Sequence, residues 1–500
     1  MSSSLPFTPV YINGQSITTK SQFAVINPLT SEPVGQSASA SLQDCQNAIS
    51  SAHSAFQSWS STSITYRRDI FLRAADIVHK YKDRIIQAVM QETGASLEMG
   101  MFNYATSAGF LKASAALVAN ELRGQRFPSE RNPEAVVWTE KRPFGVIFTQ
   151  SPWNAPIALT LRAVVIPILC GNTVVFRPSE LSPHSCSIVY ELFQEAGLPD
   201  GVFNFLPISR EDTPEMTREI IADIRVRKVT FTGSDRVGRI IALESAKHLK
   251  PCILELGGKA PAIVLNDADV ALAAQSIVTG AMLHSGQICM STERVIVQSG
   301  VGEEFTEELL KWAGKLGTVT KEGGDGGKKG VLGPLFSTPH AENVLGMIKE
   351  AQMKGAQVLV GDVKREGAVV KPHVLALEKD NIVASGSGKI PNIWERESFG
   401  PVLLLTIVDT LDEAIDLANQ SDYSLTSSLW TKDVNHAQSV AGRIRAGYTN
   451  INGSTIHSEP TVGLVGLGGS SGYGRFSVDD FTYSKVVVVH PPGGTSVLFD

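Results

Sequence analysis

Cysteine is scarce in this 500-residue chain, with five residues, Cys45, Cys170, Cys186, Cys252 and Cys289, an odd number with no C-x-x-C pair among them. That excludes a disulfide framework and a thiolate zinc site, and no cluster with metal-ligand spacing is visible, so no metal is expected. Long apolar runs are lacking too. Those around Ala163–Leu169 and Val486–Val489 fall well short of the roughly 18 residues that span a bilayer. Neither sign of charge dominates: 44 Lys and Arg against 50 Asp and Glu leave a net charge of −6, which argues against nucleic acid or a membrane as partner. The usual dinucleotide fingerprint G-x-G-x-x-G is absent. The opening MSSSLPFTPVYINGQ has no basic flank or apolar core of a secretory signal and is not Arg-rich, and TSVLFD is no peroxisomal or retention signal. A cytoplasmic location is therefore expected. What remains is an ordinary globular composition, 43% apolar and 19% charged, in a chain long enough for about three domains, or two large ones with an appendage.

Helical periodicity marks Leu42–Trp59 and Tyr66–Thr93. Short apolar strands then alternate with helices: Gly145–Thr149, Thr173–Phe176, Val202–Leu206, Lys228–Thr232 and Ile253–Leu256, with helices over Ile157–Leu169 and Ser185–Ala196. This βαβ rhythm predicts a parallel sheet covered by helices on both faces. A second alternating stretch runs from about Ala260 to Asp433. Gln125–Arg142 and the tail Tyr483–His490 fall outside the rhythm and read as outlying strands suited to edge-to-edge subunit pairing. Gly-rich Lys321–Gly330 lacks phosphate-loop spacing and reads as a solvated loop.

Four places could carry chemistry. In Val229–Gly238 a strand ends at Gly233-Ser234 and a helix opens behind it, with Gly238 one turn in. Such a helix start can hold a phosphate, or be an ordinary strand-to-helix turn. Cys289 stands among small and polar neighbours (HSGQICMSTER), a setting that suits a reachable thiolate at a turn or helix start, whereas the other four cysteines read as structural. Glu255 ends an apolar strand before Gly257-Gly258, where desolvation would suit a general base; a buried ion pair, perhaps with Lys259, is the alternative. Asn154, in SPWNAP, follows a strand and is an oxyanion donor or a turn asparagine.

Taken in order, SPWNAP, GNTVVFRPSE, FTGSDRVG, LELGGKAP, SGQICMSTER and ESFGPV resemble the aldehyde dehydrogenase superfamily over essentially the whole chain. Asn154-Ala-Pro-Ile with Arg162-Ala163, Gly286-Gln-Ile-Cys-Met-Ser-Thr and Ile451–Glu459 resemble its branch acting on aromatic aldehydes such as vanillin, benzaldehyde or salicylaldehyde. The resemblance implies an α/β fold: a Rossmann-like parallel-sheet cofactor domain (1–124 and 143–256), a second α/β catalytic domain (257–466), and a small β oligomerisation arm with a tail strand (125–142 and 480–500). It implies a homodimer or homotetramer that oxidises a small-molecule aldehyde with NAD preferred and NADP possible.

Position by position, the resemblance makes Cys289 the nucleophile, Glu255 the general base, and Asn154 with the Cys289 N–H the oxyanion hole. It places Glu397 at the nicotinamide ribose, Phe399 beside the nicotinamide, Glu180 near the adenosine ribose, and Trp153 with Ser234 along the pyrophosphate. Arg177, Ser179, Gly233, Gly238 and Leu256 complete the cofactor set. Arg162 lies eight residues after Asn154, about two helical turns, and with Ile288 is expected at the aryl ring; a helix-surface ion pair is the other reading of Arg162. Three departures stand out: Arg177 where the family usually has Lys, Tyr423-Ser424-Leu425 for Tyr-Gly-Leu, and a rearranged Gly463–Gly474 with no Phe, which leaves that substrate-side wall open. A coenzyme-A-acylating relative would do without Glu255, and a non-catalytic nucleotide-binding relative would need none of Cys289, Glu255 and Asn154. These are the alternatives.

Overall fold

The computed structural model describes residues 5–319, 330–383, 390–464 and 466–492. Residues 321–329 of the Gly-rich loop and 493–500 of the expected tail lie outside the described residues. Two large sheets organise the chain. The first has eight strands in the order Gly472–Tyr473, Cys252–Glu255, Val226–Thr232, Val146–Gln150, Thr173–Arg177, Phe203–Phe205, Val10–Ile12 and Gln15–Ile17. Its five central strands are parallel; the outer three pair antiparallel. The chain leaves Val146–Gln150 for Thr173–Arg177 on one side and later returns to Val226–Thr232 on the other. That change of direction opens a crevice at the carboxyl ends of Val146–Gln150 and Val226–Thr232, the usual ligand site of an open parallel sheet.

The second sheet has seven strands in the order Gln357–Val360, His373–Ala376, Val402–Val408, Thr292–Gln298, Ala260–Val264, Thr426–Trp430 and Tyr448–Ile451, antiparallel only at Gln357–Val360. A four-residue link, Leu256–Lys259, joins the two sheets. The tail Thr482–Val489 pairs antiparallel with Val136–Pro143 along its length, and Arg126–Pro128 completes a separate three-stranded arm.

Local sequence explains most elements. Leu42–Trp59 is a helix with the expected bounds, opened by a Ser41–Asp44 capping box. The expected single helix Tyr66–Thr93 is instead two, Ile64–Ile77 and Lys82–Thr93, separated by a 3₁₀ turn at Val78–Tyr81. The helical period persists across that turn, so periodicity alone does not register the break. The second sheet also extends past Asp433 to Tyr448–Ile451, and Gly472–Tyr473 then returns to the first sheet beside Leu254–Glu255. A two-residue strand in a Gly-rich segment has no alternation to betray it. The long helix Leu97–Glu121 spreads apolar residues around its whole circumference, because it packs on three other helices and also lines a cavity.

Arg294 ties the second sheet together. Its guanidinium is fully buried, donates to the carbonyls of Lys259, Leu417 and Ala418, and lies over the Trp394 ring, 5.3 Å from its centroid. Arg294→Met would fill the space but orphan three carbonyls. At about 1–3 kcal/mol for each buried unsatisfied group, the expected loss is at least about 3 kcal/mol. A thermal or denaturant melt showing no fall in stability would contradict this.

Candidate active site

The turn that carries Cys289 is built from strained backbone. His284 and Ser285 have φ of 52° and 57°, and Gly286 follows at 74°. Two adjacent non-glycine residues in the left-handed region are unfavourable by about 1–2 kcal/mol each, so the surroundings must hold them. They do so largely through Gln287, which is fully buried. Its amide donates to the carbonyls of His284 and Pro334, both at 3.1 Å, and its side-chain oxygen accepts from Phe336 N–H at 2.8 Å. Ser285 Oγ donates to Gly333 O at 2.8 Å. Cys289 therefore sits on a pinned turn before strand Thr292–Gln298, not at a helix start. Gln287 went unremarked among the sequence candidates, although a glutamine two residues before a candidate thiol was a visible signal.

Cys289 is half-buried and lines a cavity of about 450 Å³. Asn154, Arg162 and Ile288 line it as well, so the eight-residue spacing does bring Arg162 and Asn154 to one cleft. Asn154 Nδ2 donates to Gln287 O at 3.0 Å, which uses one of its two amide hydrogens and leaves the other. The remaining walls are mostly apolar. Phe102 and Phe110 come from the helix Leu97–Glu121, Leu161 from the helix Pro156–Leu169, and Leu464 and Phe476 from the C-terminal region. The rearranged Gly463–Gly474 segment thus still supplies a wall through Leu464, and Phe476 stands just beyond it. Val465 lies outside the described residues. His457 and Glu459, 3.0 Å apart, form a polar rim.

Glu255, 1% exposed, ends the strand Cys252–Glu255. Its ion-pair partner is Arg162, whose Nη2 is 2.6 Å from Glu255 Oε2. Lys259, the partner suggested by sequence proximity, pairs with Glu293 instead. The reason is direction: Lys259 lies beyond the Gly257-Gly258 link and faces the second sheet, where Glu293 comes from the adjoining strand. Burial and the neighbouring Glu255 carboxylate push the Cys289 thiol well above its ordinary range, while the Arg162 guanidinium opposes them.

The candidate cofactor residues lie on the other side of the link. A Cβ on Gly258 would stand 2.0 Å from Cys289 O, and one on Gly257 would stand 2.6 Å from Glu397 Oε2. Gly258 N–H donates to Glu397 Oε1 at 2.8 Å. Burial and Glu293 push the Glu397 carboxyl well above its ordinary range. Glu293 in turn accepts from Ser398 N–H at 3.0 Å and from Phe399 N–H, fixing the loop in which Phe399 has φ 48°. Trp153 packs with Phe399, Phe336 and His284, at centroid distances of 6.0, 5.0 and 6.0 Å. Burial lowers the His284 pKa to about 4, so its ring is neutral there.

Ser234 caps the helix Asp235–Lys247, accepting from Val237 N–H, and Gly233 precedes it. Gly238 lies against Leu256, where a Cβ would come within 2.4 Å of Leu256 Cδ2, so a larger residue there would require the Leu256 side chain to move. Arg177 Nη2 is 2.8 Å from both Glu180 Oε2 and Thr213 Oγ1, and Ser179 Oγ accepts from Leu181 N–H at 3.3 Å. Around the crevice, Gln150 Nε2 and Arg177 Nε are buried without a protein partner. Unpartnered buried donors near a capped helix start fit a phosphate-bearing dinucleotide. Among the described residues no His, Cys, Asp and Glu group could hold a metal, and no helix is long and apolar enough to cross a membrane.

Comparison with known proteins places the chain in a family. The sequence profile described as "Aldehyde dehydrogenase family" matches residues 15–487. Salicylaldehyde dehydrogenase of Pseudomonas putida is 36% identical over 492 residues, covering 97% of this chain and 98% of that protein. Vanillin dehydrogenase of Pseudomonas fluorescens is 36% identical over 487 residues, covering 96% and 97%. The solved structure of a salicylaldehyde dehydrogenase from Pseudomonas putida G7, complexed with salicylaldehyde, superposes with a TM-score of 0.92 at 35% identity, covering 98% of this chain and 100% of that one.

The electrostatics of the thiol can be checked directly. With the cofactor absent, Cys289 is expected to react with iodoacetamide more slowly at pH 8 than a free cysteine does, and to speed up as the pH rises. A carboxylate disfavours a neighbouring thiolate, so Glu255→Gln should lower the thiol pKa and accelerate alkylation at pH 8 several-fold. Peptide mapping of Cys289 labelling measures this; slower labelling in Glu255→Gln would reverse the sign.

Proposed function

The chain belongs to the aldehyde dehydrogenase family, whose members use NAD or NADP, and we propose that it oxidises an aromatic aldehyde to the carboxylic acid through Cys289, Glu255 and Asn154. The observation that carries this reading is the shared cavity: a pinned cysteine and an asparagine with a free amide hydrogen stand in one largely apolar pocket, beside a buried carboxylate.

The chemistry follows from those groups. The Cys289 thiol gives up its proton to solvent as Sγ adds to the aldehyde carbonyl, and the free Asn154 amide hydrogen together with the Cys289 N–H stabilises the oxyanion of the adduct. A nicotinamide held beside Glu397 and Phe399 would supply the acceptor for the hydride that leaves this carbon, and the acyl group would then remain on Cys289 as a thioester. Glu255 takes a proton from water as the water attacks the thioester carbonyl, the C–S bond breaks, and that proton passes to the sulfur. The products are the acid and the free thiol. The crevice between the loops Ser151–Asn154 and Gly233-Ser234 supports cofactor binding on the first sheet, with Glu397 and Phe399 toward the nicotinamide, as expected for a cofactor unit and a catalytic unit meeting at Leu256–Lys259.

Three observations support an aryl substrate. The relatives at 36% identity are named for aromatic aldehydes, the cavity walls carry aromatic side chains, and Arg162 and Ile288 face the space a ring would fill. An apolar cavity of about 150 Å³ suffices for benzene, so the volume here holds a substituted ring with room to spare. Burying a ring is worth about 1.5–3 kcal/mol, or about ten- to a hundredfold in kcat/KM. The arm formed by Val136–Pro143 and Thr482–Val489 exposes Val486 and Val488, which supports a homodimer or homotetramer assembled through it. Light scattering of the purified protein is expected to show one of these; a monomer would exclude both.

Three sets of measurements test the rest. Cys289→Ala is expected to abolish oxidation, and Glu255→Gln to slow turnover by about two to four orders of magnitude while an acyl adduct accumulates in the intact mass. Benzaldehyde should exceed acetaldehyde in kcat/KM; the reverse order would end the aromatic assignment and leave the family untouched. For the cofactor, the Arg177 guanidinium is already held by Glu180 and Thr213, so a 2′-phosphate would have to break that pair and face the Glu180 carboxylate. NAD is therefore expected to be preferred, and Glu180→Gln to narrow the gap to NADP. A wild-type preference for NADP would overturn that reading.

A further inference from the structure

Glu255 has one cation, and it comes from an unexpected place. Arg162 reaches across from the helix Pro156–Leu169 and contacts the carboxylate through a single nitrogen, Nη2 to Oε2 at 2.6 Å. The same nitrogen is 3.1 Å from Thr232 Oγ1, and the guanidinium carbon is 5.1 Å from the Phe476 ring centroid. Arg162 is thus seated between a strand end and an aromatic face. The contact engages only one carboxylate oxygen. Glu255 Oε1 and Arg162 Nε are buried and have no protein partner. A two-point fork would have engaged both oxygens and drawn charge from each, lowering the basicity of the one that must take the proton.

We propose that Arg162 is a positioning residue for deacylation, anchoring one oxygen of the Glu255 carboxylate so that the other stays free and oriented to take the proton of the attacking water. This rests on the assignment of Cys289 as nucleophile and Glu255 as base. A buried carboxylate without a counter-ion is strongly unfavourable, and Lys259 is committed to Glu293. The charged and titratable groups bearing on Glu255 are Arg162 from its helix and Cys289 from its turn, with Glu397 acting on Cys289. An unanchored carboxylate would turn about its last side-chain bond, and the base would be present but unaimed. Such misplacement slows a reaction without removing any reacting atom.

The test separates the two halves of the reaction by stopped-flow absorbance of reduced cofactor, with NAD and either benzaldehyde or acetaldehyde. In Arg162→Met the first-turnover burst is expected to survive while steady-state turnover falls about ten- to a hundredfold with both aldehydes, and an acyl adduct appears in the intact mass. Arg162→Lys should recover part of the turnover. Millimolar guanidinium should raise the steady-state rate of Arg162→Ala and leave the wild type unchanged. Should Arg162→Met not fold, Phe476→Leu loosens the guanidinium seat with the charge retained and should slow the steady state in the same selective way. Loss of burst and steady state together, or loss with benzaldehyde alone, would overturn the proposal, the latter assigning Arg162 to the ring only. Glu255→Gln is the control. If it accumulates acyl-enzyme and Arg162→Met does not, only the positioning role falls; if it accumulates none, the base assignment falls with it.

Discussion

The site depends on a passage with almost no side chains. Between the last residue of one sheet, Glu255, and the first of the next, Ala260, the chain must cross behind Cys289 and in front of Glu397. Gly257 and Gly258 make that crossing possible, since any Cβ would lie 2.6 Å from the Glu397 carboxylate or 2.0 Å from the Cys289 carbonyl. The close approach gives Gly258 N–H its bond to Glu397 and leaves base, thiol and ribose-side carboxylate as neighbours drawn from separate elements. Neither sheet alone contains a site.

Around this crossing the charges are arranged in separate cells. Arg162 serves Glu255 on the cavity side, Lys259 serves Glu293 on the far side, and Arg177 serves Glu180 at the crevice edge. Each of these three cations is matched to one carboxylate, which offsets the desolvation of both ions, whereas fully buried Arg294 is met by three carbonyls. The Lys259–Glu293 pair has a further consequence. Glu293, held there, collects the N–H groups of Ser398 and Phe399 and so fixes the loop that carries Glu397. A residue far from the aldehyde cavity thereby sets the position of a cofactor-side group.

The strained turn before Cys289 belongs to the same design. Left-handed His284 and Ser285 are held by Gln287, which bonds three backbone groups around them, and by the Ser285 hydroxyl on Gly333 O. The thiol that follows this turn lines the cavity. Asn154 is fixed by the carbonyl of that same Gln287. The two groups proposed to act on the carbonyl are thus referenced to one residue.

Much of this was legible in the sequence. The parallel sheets follow from apolar runs alternating with amphipathic helices, and the order of the motifs named the family; one of them holds the Gly257-Gly258 link, where an added Cβ would meet Glu397 Oε2 or Cys289 O. Cys289, Glu255 and Asn154 stood out for local reasons: a thiol among small and polar neighbours, a carboxylate ending an apolar strand where it is desolvated, and an amide following a strand. The pairing of Arg162 with Glu255 and of Lys259 with Glu293 had no such signature. Ninety-odd residues separate Arg162 from Glu255, and Lys259 lies four from Glu255 yet faces away. The cavity, the return of Gly472–Tyr473 to the first sheet and the break at Val78–Tyr81 were likewise silent. Pattern along a chain encodes which face of an element is buried; which charge meets which is decided only when the elements are packed.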